Sequence, residues 1–281
     1  MMNSILAVIR ISTKATVFII AAIVFFVISG FLIIHPDEEE TARNEKPPFL
    51  KGTDQWVDSV YKSLSFDEKI AQLFMIAAYS DRGDDHVEEL SKLIKEYNIG
   101  GLIFMQGTVE QQARLTNYYQ KESKTPLMIA MDAEWGPSQR LFQLYKLPNQ
   151  MTLGGIQNHS LIYDYGKEIA RQLKRLGVHV NFAPVVDINS NPDNPIISVR
   201  SFGEDKKAVT RKAFAYMSGL QDNKIIALAK HFPGHGDTDS DSHKTLPVIN
   251  HSLNRLKTTE LYPFKELIKT GVGGIMVAHL Y

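Results

Sequence analysis

Short continuous apolar runs recur along this chain, separated by segments in which the apolar residues share one face of a helix. The runs predict buried strands at residues 72–78, 101–105, 127–131, 178–186, 225–229 and 273–277. The segments between them show helical spacing of apolar residues, as at 87–97, 170–176, 209–220 and 256–268. This alternation of strands and helices predicts an α/β fold with parallel strands and right-handed crossovers.

Polar residues follow several of these strands directly, as Asp132 and Asp187 do. Functional groups at the carboxyl ends of parallel strands are typical of a (β/α)8 TIM-type barrel, which is the fold we predict. A doubly wound open sheet is the alternative, although no G-x-G-x-x-G follows the first strand to indicate a dinucleotide site. About six strands are found where a barrel has eight. We therefore expect a barrel truncated after about six strands, the N-terminal portion of a longer protein. By itself this portion should be inactive and poorly folded, and a sharp cooperative melt would contradict that.

The N-terminal residues predict a membrane anchor. Residues 16–34 form an uncharged, strongly apolar run about long enough to cross a bilayer. Arg10 and Lys14 precede it and acidic residues follow it, so residues 1–15 are expected to form a cytoplasmic stub, with the rest of the chain extracytoplasmic. Residues 16–34 are then a transmembrane signal-anchor, 35–52 a polar linker and 53–281 the incomplete barrel domain. A cleaved signal peptide, giving a secreted protein, is the alternative. The chain has no cysteine, which excludes disulfides, thiol chemistry and a lipidated cysteine.

Residues 230–243 follow an apolar strand and concentrate histidines and aspartates in a segment that Pro233 keeps from being a regular helix. One interpretation is a metal site, because Asp237, Asp239 and Asp241 alternate as at the start of a calcium loop. That pattern fails at residues 242 and 248, where glycine and a bidentate glutamate are required. Zinc bound by His231, His235 and His243 would follow the two-histidine motif only on a helix. The sequence therefore predicts no metal.

Two other interpretations of the same segment remain. In a structural one, His235 and Asp237 mainly hold the shape of the loop through hydrogen bonds to its backbone. In a catalytic one, Asp241 stands two residues before His243, so its carboxylate can reach a ring nitrogen, fix the tautomer and stabilise the imidazolium. A histidine held in this way can donate or accept a proton near neutral pH.

The run K-H-F-P-G-H-G-D-T-x-x-D-S-H over residues 230–243 closely resembles the signature of family 3 glycoside hydrolases of the β-N-acetylglucosaminidase type. The resemblance implies that His243 is the general acid/base and Asp241 its partner. It also implies that Lys230 and His231 bind hydroxyls of the sugar. In that family the nucleophilic aspartate lies on a later strand, and no residue of this chain matches it. We therefore expect the chain to lack one member of the catalytic set.

Three further segments resemble the same family. D-A-E-W-G at 132–136 is similar to its D-Q-E-G-G element, which makes Asp132 and the following Arg140 sugar-binding residues, with Trp135 in place of a glycine. N-F-A-P-V-V-D at 181–187 and R-S-F-G at 200–203 are similar to two other elements. They imply that Arg200 binds sugar and that Asp187 braces the site. Residues 64–73 match the family's L-S-x-x-E-K-I-A-Q-L opening.

These resemblances imply a glycosidase that removes terminal β-linked N-acetylglucosamine with retention, acting on cell-wall (peptidoglycan) fragments and needing no cofactor. A phosphorylase of the same glycosides, a non-catalytic saccharide-binding remnant and a metallohydrolase are the alternatives. The chain has 31 basic and 31 acidic residues, which gives no electrostatic reason to expect nucleic acid. The expected partners are thus a carbohydrate, a membrane through the N-terminal helix, and a possible C-terminal domain.

Overall fold

The computed structural model describes residues 46–47, 55–237 and 251–279. The predicted membrane-spanning run at 16–34 lies outside these ranges, and so do Asp241 and His243. Within them, no helix is long and apolar enough to cross a membrane.

The described residues alternate between strands and helices from residue 55 onward. The strands are β1 (Met75–Ala78), β2 (Gly101–Phe104), β3 (Met128–Met131), β4 (Val180–Asn181), β5 (Ile226–Phe232) and β6 (Gly274–Val277). The helices are α1 (Gln55–Ser63), α2 (Phe66–Ala71), α3 (Asp84–Tyr97), α4 (Val109–Glu122), α5 (Gln150–Gly154), α6 (His159–Arg175), α7 (Lys206–Gln221), α8 (Leu253–Thr258) and α9 (Tyr262–Lys269).

The six strands form one parallel sheet in sequential order, β1-β2-β3-β4-β5-β6. Every neighbouring pair is parallel, with Met75 beside Gly101 and Val180 beside Ile226, for example. A doubly wound sheet reverses its strand order partway, so the sequential order excludes that alternative for the described strands. The arrangement is a six-stranded half-barrel with helices between its strands, and the predicted α/β fold and its six strands are confirmed.

Strand β4 is much shorter than the predicted strand at 178–186. Regular pairing ends at Asn181, and the chain then continues through Pro184, which has no N–H to donate to a ladder. Contact with β5 continues irregularly, because Lys230 N donates to Pro184 O at 3.2 Å and Val186 N donates to Lys230 O at 2.8 Å. This irregular stretch carries the chain directly to Asp187.

The helices correspond to the predicted apolar faces, with one correction and one omission. The segment at 256–268 is two helices, α8 and α9, because Pro263 lies in the first turn of α9 and favours a helix start there. Helix α4 was not predicted, although Thr108 and Gln111 form a capping box at its start. A second capping box, Ser65 with Glu68, begins α2 where the sequence indicated a capped start.

Helices α6 and α7 pack closely behind the sheet, where glycines bring their backbones together. A Cβ on Gly219 would lie 2.2 Å from the Tyr163 carbonyl oxygen, so no larger residue fits there. The two outer strands of the half-barrel are flanked by exposed apolar side chains, among them Leu73, Phe74 and Val277. Among the described residues, β1 and β6 each pair with one strand only and are the outer strands of the sheet.

Candidate active site

Charged side chains from three neighbouring strands meet at the carboxyl edge of the half-barrel. Asp132 directly follows β3, Asp187 follows the irregular end of β4, and Lys230 and His231 belong to β5. Arg200 reaches the same place from a 3₁₀ turn in the long segment after β4. The structure thus brings together the predicted sugar-binding residues, although Asp132 and Lys230, for example, are 98 positions apart in the sequence.

The Asp132 carboxylate is held between two cations. Arg140 Nη2 donates to its Oδ2 at 2.5 Å, and Lys230 Nζ donates to its Oδ1 at 2.8 Å. Burial alone would raise the pKa of Asp132, but Lys230 and Arg140 outweigh burial and hold the pKa below its ordinary value. The side chain is 15% exposed, so the ionised carboxylate can still accept hydrogen bonds from hydroxyls of a ligand.

Lys230 is almost completely buried and bridges two carboxylates. Its ammonium lies 2.8 Å from Asp132 Oδ1 and 2.8 Å from Glu134 Oε1. Glu134 also receives two hydrogen bonds from Arg200, from Nη2 at 2.7 Å and from Nε at 3.0 Å. Burial opposes ionisation of Glu134, yet Lys230 and Arg200 hold its pKa well below the ordinary range.

Glu134 was not among the predicted site residues. The signal that could have found it is its place in the D-x-E element, two positions after Asp132. In an extended segment, residues two apart point to the same side of the chain. A carboxylate on that side, at the edge where Lys230 and Arg200 were expected, is a natural partner for both.

The Asp187 carboxylate is fully buried and organises the turn that begins at His231. It lies 2.6 Å from His231 Nδ1 and accepts the backbone N–H groups of His231, at 3.2 Å, and His235, at 2.7 Å. Burial would raise the pKa of Asp187, but His231 and these N–H groups outweigh it and lower the pKa. Asp187 thus braces the site from within, as the sequence indicated.

Both ring nitrogens of His231 are engaged. Arg200 Nη2 lies 3.2 Å from Nε2, and a guanidinium can only donate. Nε2 therefore accepts a hydrogen bond from Arg200. Nδ1 carries the ring proton and donates a hydrogen bond to Asp187, so we assign the Nδ1–H tautomer from these contacts. In this arrangement the Nε2 atom of His231 accepts a hydrogen bond from Arg200. It can accept one from a sugar hydroxyl only if the hydroxyl replaces Arg200 at that nitrogen.

Residues on both sides of the undescribed stretch 238–250 are tied together. Asp237 Oδ2 lies 2.5 Å from His251 Nε2 and 4.0 Å from Arg255 Nη2. His235 is buried, and its carbonyl accepts a hydrogen bond from Asn194 Nδ2 at 2.8 Å. Asp237 thus contacts side chains, whereas hydrogen bonds to the loop backbone were expected of it. Among the described residues, no group of three or more His, Cys, Asp or Glu side chains could hold a metal ion.

Buried polar side chains behind the charged groups fix the backbone that carries them. Asn181 pairs with Ala133 through both backbone groups, at 3.0 and 3.1 Å, and Tyr216 donates to the Glu134 carbonyl at 3.1 Å. Gln150 Nε2 donates to the Arg200 carbonyl at 2.9 Å. Sequence reasoning did not identify these supports. The result is a cluster of alternating fixed charges, which suits a neutral ligand with many hydroxyl groups. We call this cluster the pocket, and it is formed by Arg140, Asp132, Lys230, Glu134 and Arg200 with the adjacent His231.

Comparison with known proteins gives a consistent result. A family model described as the glycosyl hydrolase family 3 N terminal domain matches residues 65–281. The chain is 39% identical over 206 residues to beta-hexosaminidase A of Pseudoalteromonas piscicida, covering 68% of the chain and 34% of that protein.

Two solved structures are similar to the half-barrel. A glycoside hydrolase family 3 beta-N-acetylglucosaminidase from Paenibacillus sp. has a TM-score of 0.71 at 38% identity, covering 78% of this chain and 42% of that one. The beta-glucoside phosphorylase BglX bound to 2FGlc has a TM-score of 0.76 at 28% identity, covering 84% and 42%. The chain thus spans less than half the length of these three proteins.

Proposed function

This chain belongs to glycosyl hydrolase family 3, and we propose that the protein removes terminal β-linked N-acetylglucosamine from saccharides with retention of configuration. The observation that carries the proposal is the convergence of Asp132, Arg140, Arg200, Lys230 and His231 on one pocket. The named beta-hexosaminidase and beta-N-acetylglucosaminidase relatives support the choice of sugar.

In the proposed mechanism, the pocket holds the ring of the terminal sugar while His243 moves the proton. The carboxylate of Asp132 accepts from hydroxyls, and Arg140, Arg200 and Lys230 supply donors and fixed positive charge. The imidazolium of His243 protonates the leaving oxygen in the first step, and the resulting neutral imidazole removes a proton from water in the second. Asp241 stabilises the imidazolium that is present before the first step and formed again in the second. The nucleophile that a retaining mechanism needs is not assigned to any described residue.

We further propose that the six strands are part of an eight-stranded barrel, that the substrate is a cell-wall fragment, and that residues 16–34 anchor the protein with its barrel outside the cytoplasm. The sequential order of the parallel strands supports the barrel. N-terminal sequencing of the protein from the membrane fraction would test the anchor, since a chain that begins after residue 34 would contradict it.

The test of the activity uses the full-length protein and p-nitrophenyl N-acetyl-β-D-glucosaminide. Wild type should release nitrophenol, NMR should show the β-anomer of N-acetylglucosamine first, and His243→Asn should lower the rate by about 100-fold or more. His159→Asn is the matched control, because His159 lies at the start of α6.

Sugar binding without turnover would instead favour a non-catalytic binding protein. Activity that a chelator abolishes would favour a metallohydrolase.

A phosphorylase is the second candidate, favoured by the similarity to the beta-glucoside phosphorylase. A neutral imidazole does not repel an incoming phosphate as a carboxylate acid/base would. Turnover in phosphate buffer followed by product analysis separates the two activities. N-acetylglucosamine 1-phosphate would identify a phosphorylase, and free sugar alone at saturating phosphate would exclude it.

A further inference from the structure

Glu134 is the most deeply buried carboxylate in contact with the pocket cations. Its side chain is 1% exposed, whereas the Arg200 side chain is 20% exposed. Its backbone is fixed as well, because its N–H donates to Gln139 Oε1 at 2.7 Å and its carbonyl accepts from the Tyr216 hydroxyl. Glu134 therefore lies behind the residues that a sugar can reach, in a conformation set by its neighbours.

Glu134 and Asp132 share the Lys230 ammonium but differ in what else they meet. Asp132 is 15% exposed and opens to the pocket. Both oxygens of Glu134 are occupied by cations, Oε1 by Lys230 and Arg200 and Oε2 by Arg200. The two carboxylates thus divide two tasks, because Asp132 can accept from ligand hydroxyls while Glu134 can only hold protein cations.

Removal of the Glu134 charge would leave the Arg200 guanidinium without its bidentate carboxylate. The remaining carboxylate on Lys230 is Asp132, whose free lone pairs are those that a sugar would use. Lys230 would then interact with Asp132 alone, and Arg200 would lose the contact that sets the direction of its planar fork. Its contact with His231 Nε2 depends on the same orientation.

We propose that Glu134 is a positioning residue for sugar binding, which fixes Arg200 and Lys230 and thereby keeps the Asp132 carboxylate available to the substrate. This inference rests on the proposed function, since it concerns the same pocket. Glu134 itself does not touch the sugar, and it acts only through Arg200 and Lys230, which can.

The experiment compares Glu134→Gln, Glu134→Asp and Glu168→Gln in the full-length protein. Glu168 is a matched control because it also holds an arginine through two bonds of 2.7 Å, to Arg171, but on the exposed face of α6. The measurements are the inhibition constant of free N-acetylglucosamine, KM and kcat for the nitrophenyl substrate, and the NMR signal of the Arg200 Nε–H. A thermal melt of each variant reports folding.

Glu134→Gln should raise the inhibition constant and KM by about tenfold or more, and it should shift or broaden the Arg200 Nε–H signal. Glu134→Asp keeps the charge on a shorter side chain, so its effect should be smaller. Glu168→Gln should change none of these quantities. A purely structural role would lower the melting temperature of Glu134→Gln and leave its inhibition constant at the wild-type value, which would overturn the proposal.

The remaining outcomes also separate the two proposals. If Glu134→Gln does not fold, Glu134→Asp decides, because an unchanged inhibition constant and an unchanged Arg200 signal in that folded variant would count against positioning. If wild type neither binds nor cleaves the sugar, the proposed function fails. The Arg200 signal then still shows whether Glu134 holds the guanidinium, and an unchanged signal in Glu134→Gln would overturn the inference separately.

Discussion

The ammonium of Lys230 lies 2.8 Å from Asp132, although Lys230 belongs to β5 and Asp132 directly follows β3, with β4 between the two strands. Lys230 spans this distance with its long side chain, and only 2% of that side chain is exposed. An ammonium in so dry a position is stable only beside anions, and Asp132 and Glu134 supply them. The ion pair of Lys230 with Asp132 thus connects the carboxyl ends of two strands that are not neighbours in the sheet.

Replacement of Lys230 by methionine should strongly reduce both stability and activity. Methionine fills a similar volume, but it leaves Asp132 and Glu134 as neighbouring carboxylates without their shared cation. The free energy of unfolding should fall by about 3 kcal/mol. The value of kcat/KM should fall by about 100-fold or more. Denaturant melts and steady-state kinetics measure the two effects.

Lys207→Met on the exposed face of α7 is the control. It should change the free energy of unfolding by less than about 0.5 kcal/mol and leave kcat/KM at the wild-type value. Wild-type kinetics in Lys230→Met would show that the buried cation serves folding alone.

The strands and most helices followed from the sequence because their apolar residues repeat with the period of the element that buries them. The pattern did not predict the shortness of β4, which depends on Pro184 and on irregular contacts with β5. Nor did it separate α8 from α9, since apolar residues on one face persist across Thr259 while Pro263 starts a new helix.

The charged pocket was predicted through its motifs, whereas its internal contacts were not. The motifs placed Asp132, Asp187, Lys230 and His231 at or near strand ends, and parallel topology brings those ends together. The pairing of Glu134 with Arg200 joins residues 66 positions apart, and sequence spacing carries no information about such a contact. The same holds for Asn181, whose amide meets Ala133 in the folded chain.

Asp187→Asn should disturb the turn around His231 without removing any atom of the pocket itself. Asp187 accepts from His231 Nδ1 and from two backbone N–H groups, and an amide nitrogen in place of one oxygen would face a donor. The preferred tautomer of His231 should change, and kcat/KM should fall by about 100-fold or more. Nitrogen-15 NMR of the histidine rings reports the tautomer. Asp222→Asn, at a residue that accepts from the Tyr163 hydroxyl near the surface, should change neither.

Acid should remove the stabilising effect of Asp132 in a defined pH range. The folded-state pKa of Asp132 lies below the ordinary value of about 3.9, so its carboxylate stabilises the fold at pH values above that. The stabilisation is lost as the pH falls through the lowered pKa. The melting temperature of wild type should therefore exceed that of Asp132→Asn by a constant margin above about pH 5, and the margin should shrink below about pH 4. A margin that grows in acid would mean that the pKa is raised instead.

Gly236 should be intolerant of any side chain, because it packs directly against the segment after Asp187. A Cβ at this position would lie 1.9 Å from the Ile188 carbonyl oxygen. Gly236→Ala must therefore push the turn away from that segment and stretch the bond from His235 N–H to Asp187. The free energy of unfolding should fall by about 2 kcal/mol or more, and kcat/KM should fall with it. Gly155→Ala is the matched control, since its Cβ would meet its first neighbour at an ordinary 3.5 Å. Equal melts for the two variants would show that the turn has room to move, and the close approach at Gly236 would then not limit the geometry of the site.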